Sequence, residues 1–301
     1  LFFFGAYEGF RLRQSANITR TVLLPNAKNG IFTYIDGSGV TRTLNIFTAQ
    51  QAGSGPNITG IDPVILSRIL ANLPNGNNPT VGDGRNTIGY SFSQKQNQDR
   101  EAVSTRFDYD INSKNTVNGV YSWRKENLLR PDVDNGGFSA TPFGFQVART
   151  YTTNIAWRFT PAANFTNEFR VANQLSRPVF DRKNKPTNYF LSLPLISSPE
   201  STFERQGRNT STWNMADNAV YTWGNHSIKF GGQISWYRIN PFGPPAFSNS
   251  TIPTITLGTN VNTPTLANNT TNFPNGITAN QLATGNALLA LLGGIVSSQS
   301  Q

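Results

Sequence analysis

Asp108 and Asp110 are two residues apart, a spacing that sets both carboxylates on one face of a β-strand, where a pair could divide general acid and general base work. Arg106 shares that face, so ion pairing among neighbours is the simpler chemistry. Asp132-Val133-Asp134-Asn135-Gly136 opens like a calcium loop but lacks the later Glu that closes one, and it reads as an Asx-rich turn. His226 is the only histidine and there is no cysteine. That removes His-based zinc clusters, thiolate metal sites, disulfides and most Ser–His or Cys–His catalysis. His226 follows a turn and reads as an interfacial residue. Asn17-Ile18-Thr19 and Asn57-Ile58-Thr59 have the form of glycan acceptors but arise from an Asn- and Thr-rich composition. No catalytic residue, metal ligand or cofactor is expected, and the chain is not expected to be an enzyme.

The aromatics are the remaining candidates. Trp123, Trp157, Tyr221, Trp223 and Trp236 could be platforms on which sugar rings stack. Their parity puts them with apolar neighbours, however, and several lie close to a short turn. That pattern suits an aromatic girdle at a membrane interface, on the side of the short turns.

Composition points the same way. Over 301 residues, aromatics make up 12% while charged residues make up only 14%, against about 25% in an average soluble domain. Asn, Thr, Ser and Gln fill the difference, which suits a surface half in lipid and half in water. The net charge of +9 comes from Arg and Lys scattered singly along the chain. A nucleic-acid interface would cluster them, whereas anionic headgroups or a basic lumen would not require it. The longest apolar run, Ala287–Val296, is too short for a membrane helix, which needs roughly 17–25 residues. Leu1-Phe2-Phe3-Phe4 lacks the basic start and cleavage site of a signal peptide. The chain reads as a piece of something longer.

The elements that must position these residues are strands with two different faces. Ile228, Phe230, Ile234 and Trp236 alternate with Ser227, Lys229, Gln233 and Ser235, after Ala219, Tyr221 and Trp223 alternate with Asn218 and Thr222. Val103, Phe107, Tyr109 and Ile111 alternate with Ser104, Arg106, Asp108 and Asp110, and the chain returns through Val117, Tyr121 and Trp123. Ile155, Trp157 and Phe159 alternate with Asn154 and Arg158, and Phe165, Phe169 and Val171 with Glu168 and Arg170. Short turns are expected at about 112–115, 161–164 and 224–225, and long loops at about 14–85, 126–147, 177–210 and 240–285. The alternation of the two is strict if residues 86–111 form one extended strand. Short turns on one side and long loops on the other mark an outer-membrane barrel. Arg106, Asp108, Arg158, Glu168, Arg170 and Lys229 then face the lumen. Asp217 breaks the pattern by sharing parity with Tyr221, and a bulge there would correct it. A helix is expected after Asp62-Pro63, with Leu66, Ile69, Leu70 and Leu73 as its apolar stripe, and a second short one around Asn286–Leu292.

Several phrases resemble TonB-dependent outer-membrane receptors, in particular the Oar-like branch. Phe2-Phe3-Phe4-Gly5-Ala6-Tyr7-Glu8-Gly9-Phe10-Arg11 is similar to an early barrel strand of that branch. Arg106-Phe107-Asp108-Tyr109, Asn167-Glu168-Phe169-Arg170 and Gly224-Asn225-His226-Ser227-Ile228-Lys229-Phe230-Gly231-Gly232 resemble later strands in the same order. Gly285-Asn286-Ala287-Leu288-Leu289 is similar to a further one, without the acidic residue expected after it. The resemblance implies a barrel of about twenty-two strands around an N-terminal plug, of which about seven or eight strands lie here, taking up large substrates with energy from the inner membrane.

The expected fold is therefore all-β, a fragment of an antiparallel transmembrane β-barrel in the bacterial outer membrane, covering residues 1–301. The expected partners are outer-membrane lipid and lipopolysaccharide, an unknown extracellular ligand, and a TonB complex reached through a plug domain not present in this chain; nucleic acid is not one. The expected function is TonB-dependent uptake of a bulky ligand gripped by the loops. An adhesin or surface structural protein without active transport is the alternative, and a secreted β-sandwich or lectin is a third.

Overall fold

The computed structural model describes residues 1–51, 57–134, 136–183, 188–244 and 252–300. In chain order the strands begin with β1 (Phe2–Leu12), β2 (Ser15–Leu23), β3 (Ile31–Ile35), β4 (Thr41–Asn45), β5 (Gln50–Gln51) and β6 (Thr87–Lys95). The long strands β7 (Gln98–Asn112), β8 (Asn115–Leu129), β9 (Gly144–Ala162) and β10 (Phe165–Arg182) follow. After the short β11 (Phe190–Ser192) come β12 (Gln206–Trp223) and β13 (His226–Phe242), then β14 (Thr254–Leu257), β15 (Thr265–Leu266) and β16 (Val296–Ser300). Among the described residues, two α-helices, α1 (Pro25–Lys28) and α2 (Ala279–Gly293), one π-helical turn and one 3-10 turn complete the regular elements.

Seven strands form the main antiparallel sheet in the order β1-β7-β8-β9-β10-β12-β13. Two residues each join β7 to β8, β9 to β10 and β12 to β13, and Gly224 takes φ +56° in the last of these turns. The long strands of the three hairpins run 15 to 19 residues. An apolar layer of about 25 Å crossed at about 45° needs on the order of eleven. The surplus carries the ladders beyond that layer on the side away from the turns.

This overshoot corrects the loop boundaries. The connection expected at about 126–147 spans only 130–143, and that expected at 177–210 spans 183–205, because ladder hydrogen bonds continue further than the alternation of apolar residues does. The expected single strand over residues 86–111 is broken at Gln96–Asn97 into β6 and β7. β6 pairs with β2 in the register with which β7 pairs with β1, so one ladder continues upward through a kink.

The long connections are not extended loops. Together they fold into a cap on the loop side of the sheet, built on a core drawn from segments distant in sequence: Val22 and Leu23, Phe32 and Tyr34, Ile65 and Ile69, Leu191, Leu257, Phe273 and Leu288–Leu292. Helix α2 is longer than the Asn286–Leu292 turn expected from sequence and supplies five consecutive fully buried residues. Its C-terminal half, Ala287–Leu292, is apolar on all sides and so belongs inside a core. Thr278 accepts a bond from the Gln281 amide at its N-terminus, and Gly294 at φ +65° closes its C-terminus. The phrase Gly285–Leu289, likened to a strand, lies within this helix. Gly285 packs closely there: a Cβ would sit 2.6 Å from Leu266 Cδ1, so the Leu266 side chain would have to shift. Near Asp62 the chain is π-helical over Ile65–Ile69. The wider winding buries Ile65, Ile69 and Leu73 and leaves Leu66, assigned to the apolar stripe, 52% exposed.

Backbone bonds stitch the cap together across those separations: Asp62 N–H to Leu292 O at 2.8 Å, Ser197 N–H to Thr21 O at 2.9 Å, and Gly37 N–H to Asn275 O at 3.1 Å. Gln281 stands in for a strand, accepting from Ile35 N–H at 2.7 Å and donating to Ile35 O at 3.0 Å. Leu291→Ala is expected to cost about 2–5 kcal/mol. In chemical denaturation the cap should then lose protease resistance at lower denaturant, while the heat-modifiable gel mobility of the sheet is unchanged.

Candidate functional site

Residues paired directly across antiparallel strands share a face, so the register divides the sheet into two surfaces. One carries Phe107, Val117, Trp157 and Phe169 in neighbouring positions, followed by Tyr221, Ile228 and Phe230. The other carries Ser104 against Ser122, Thr152 against Gln174, and Asn214 against Ser235. The first is apolar and the second polar.

On the apolar face the five candidate aromatics separate into two levels. Trp223, Tyr221 and Trp157 stand near the turn side, with Trp223 paired to His226 across the 224–225 turn. Trp123 and Trp236 stand at the opposite rim and not in a girdle beside the turns. There Trp236 pairs with Trp213, and Trp123 with Tyr151, two residues that sequence reading passed over. Counting from the nearest turn would have revealed this split. The same count orders the charges. On β7, β8, β9, β10 and β13 the first charged residue of the apolar face is Glu101, Lys125, Arg149, Arg177 and Arg238, each at or beyond the eleventh residue from the turn. An apolar layer with aromatic rims and charge beyond it is the profile of a membrane-spanning wall. Asp217 is the exception. No bulge corrects it: both of its ladders run in register, and it lies between Phe169 and Gly232 with Asn167 Nδ2 donating to it at 2.8 Å.

The polar face holds Arg106, Asp108, Arg158, Glu168, Arg170 and Lys229 by register. Arg106 grips both oxygens of Asp108 at 2.8 and 2.7 Å, and Asp110 accepts from Thr116 Oγ1 at 3.1 Å. The two carboxylates thus have separate partners and no shared proton. Glu168 joins two cations, accepting from Arg158 at 2.8 Å and pairing with Arg170. Lys229 faces Val220 on β12. Nearer the cap, Glu8, Phe10, Arg100, Arg124 and Glu126 line a recess of about 190 Å³, and Arg124 also borders a second of about 300 Å³ reaching Gln174. Arg100 stacks over Phe10 at 5.3 Å and pairs with Glu126 at 3.5 Å. Arg100 and Arg124 were missed because they fall outside the tidiest stretch of alternation. A surface of this kind can hold polar ligand groups by hydrogen bonds and charge.

Above it, buried polar groups fix the cap. Arg20 donates to the carbonyls of Asp134 and Gly136 at 2.8 and 3.0 Å, and Phe143 N–H donates to Asp134 Oδ2 at 2.7 Å. Burial raises the Asp134 carboxyl above the usual range. The calcium-like phrase is therefore built into a structural junction; Asp132 is held by Arg130, and Asn135 lies outside the described residues. Among the described residues no three His, Asp or Glu side chains converge as metal ligands. Arg68 bridges two connections, donating to Glu200 at 2.6 Å and to Tyr189 O at 2.8 Å. Asp36 accepts from Arg42, Val40 N–H, Asn275 and Ser38 N–H, which hold its carboxyl well below the usual range. Burial works against ionisation of Asp83, but bonds from Thr87, Asn86 and Arg85 outweigh it and set its pKa at about 2, against an ordinary 3.8.

The whole chain, residues 1–301, matches the family described as outer membrane beta barrel domain. No curated protein and no solved structure matches it.

Two outcomes are expected. Asp217→Leu should stabilise the protein in lipid bilayers by about 1 kcal/mol, less than the about 2–4 kcal/mol for a mid-bilayer cation, read as a higher urea midpoint of unfolding from vesicles. The depressed pKa of Asp83 means that its contribution to cap stability is complete above its ordinary value and is lost as pH falls through about 2. Protease resistance of the cap should drop across that window. Asp83→Asn should lower the resistance already at neutral pH and shrink the acid step, leaving the share due to Asp36.

Proposed function

The chain belongs to the family of outer membrane beta barrel domains, and we propose that in the bacterial outer membrane it forms part of a TonB-dependent receptor of the Oar-like kind. In this reading it takes up a bulky ligand that the cap recognises and the polar wall receives. The observation that carries the reading is the cap itself. Its apolar core and buried Asp36, Gln94 and Asn86 make the loop side a folded platform built from distant segments. Preorganised surfaces bind with less entropy loss, which is what recognition of a scarce ligand requires. The platform stands over a wall whose inner face offers Arg100, Arg124, Glu8 and Glu126.

The sheet edges support a larger barrel. Among the described residues neither β1 nor β13 is paired along its far edge. Unpaired backbone groups are not tolerated in hydrocarbon, so further strands must complete the wall. A count of about twenty-two strands would leave a lumen wide enough to need a plug. Recognition and passage, not bond-making chemistry, are the roles assigned to the wall, since Asp108 and Asp110 are each committed to a neighbour.

The test is retention of the purified periplasmic domain of TonB by the full-length protein in detergent. Retention that is lost when the TonB-contacting segment of the full-length protein is deleted is expected. No retention, together with undiminished attachment of cells to surfaces, would instead identify an adhesin without active uptake.

A further inference from the structure

The charges that close the apolar band on the loop side have a regular placement. Each lies two positions beyond an apolar or aromatic residue of its strand's outer face, counted away from the short turn: Lys125 beyond Trp123, Arg177 beyond Leu175, Arg238 beyond Trp236, and Arg149 beyond Tyr151. Register brings three of them into one row, with Lys125 directly opposite Arg149 and Arg149 directly opposite Arg177. Like charges directly opposed on neighbouring strands are destabilising. Neither Arg149 nor Arg177 forms an ion pair with a described residue. The nearby carboxylate, Asp181, is engaged by Arg205 at 3.5 Å. The two guanidinium groups border a recess of about 490 Å³ on the outer face, walled by Val147, Val179 and Phe242. Asp181 lines the same recess with its partner Arg205, and Glu101, opposite Lys125, is held by Arg11. The carboxylates at this level are thus already paired, while Arg149 and Arg177 repel each other beside apolar walls. An external anion would relieve that repulsion.

The recess stands at the upper edge of the lipid-facing band, on the side that in this class of barrel meets the exterior. Anionic headgroups of the outer leaflet lie at that height with their chains pointing down along the wall. Guanidinium groups hold phosphate through paired parallel hydrogen bonds. We propose that Arg149 and Arg177, aided by Lys125, form a binding site for the phosphate of a phosphorylated outer-leaflet glycolipid. The site lies outside the wall, and its occupancy is independent of ligand uptake through the lumen, so failure of the TonB test leaves it standing.

The experiment is native mass spectrometry of the full-length protein released from phosphatidylcholine nanodiscs doped with lipid A. The unmodified protein should retain lipid A. At about fivefold per basic residue near an anionic surface, Arg149→Gln/Arg177→Gln should retain about twenty-five-fold less. Arg149→Lys/Arg177→Lys, which keeps the charges and loses the forks, should fall between the two, with unchanged heat-modifiable mobility showing that the barrel is intact. Lys114→Gln, a cation at the opposite end of the wall, should have no effect. Undiminished retention by the glutamine double variant, or equal retention of dephosphorylated lipid A, would overturn the proposal. Displacement of lipid A by millimolar inorganic phosphate would assign the site to a soluble anion and overturn it as well.

Discussion

Hydrocarbon offers no partner to a peptide N–H or C=O, so a chain that crosses it as strands must satisfy every backbone group sideways, strand against strand. Everything in this molecule follows from that constraint. The ladders of β1, β7, β8, β9, β10, β12 and β13 supply the bonds, and the pleat of those ladders forces successive side chains to opposite faces. One face meets lipid and the other water. Residues such as Ile155 and Arg158 can therefore lie three positions apart on β9 in environments that differ as much as any in a protein. The wall can also carry an ion-pair network on its polar face, where Glu168 sits between Arg158 and Arg170, without exposing it to the bilayer.

The same ladders explain the cap. Because β1 and β7 continue in register as β2 and β6, the wall delivers two paired strands into the space above the membrane, already ordered and already hydrogen bonded. Connections that would otherwise be long and mobile gain a scaffold to pack against, and the buried helix α2 provides the apolar centre. A folded cap above, a polar face within and an apolar face outside are thus three products of one set of strands.

The wall was legible in the sequence because its signal is local. A period of two and three tight turns are properties of neighbouring residues, and Trp157, Phe169 and Ile228 announce their face within a few positions. The cap was not, because its core joins Val22 to Phe273 and Leu289, residues that share no local period and meet only through tertiary contacts. Asp217 misled in a different way. A carboxylate on the apolar face suggests a bulge, but here the strand keeps its register and Asn167 satisfies the side chain in part. The division of the tryptophans into two rims was present in their distances from the turns. It needed those distances to be measured and not only the parity to be read.

The central claim, lipid outside the wall and water within, can be measured directly because the chain has no cysteine of its own. Single cysteines introduced in turn at positions 151–159 of β9, each labelled with a nitroxide in reconstituted vesicles, would report relaxation by oxygen dissolved in lipid and by a water-soluble nickel chelate. The account predicts that 151, 153, 155, 157 and 159 respond to oxygen and that 152, 154, 156 and 158 respond to the chelate. Uniform protection of all nine from both relaxants, as in a core closed between two packed sheets, would contradict it.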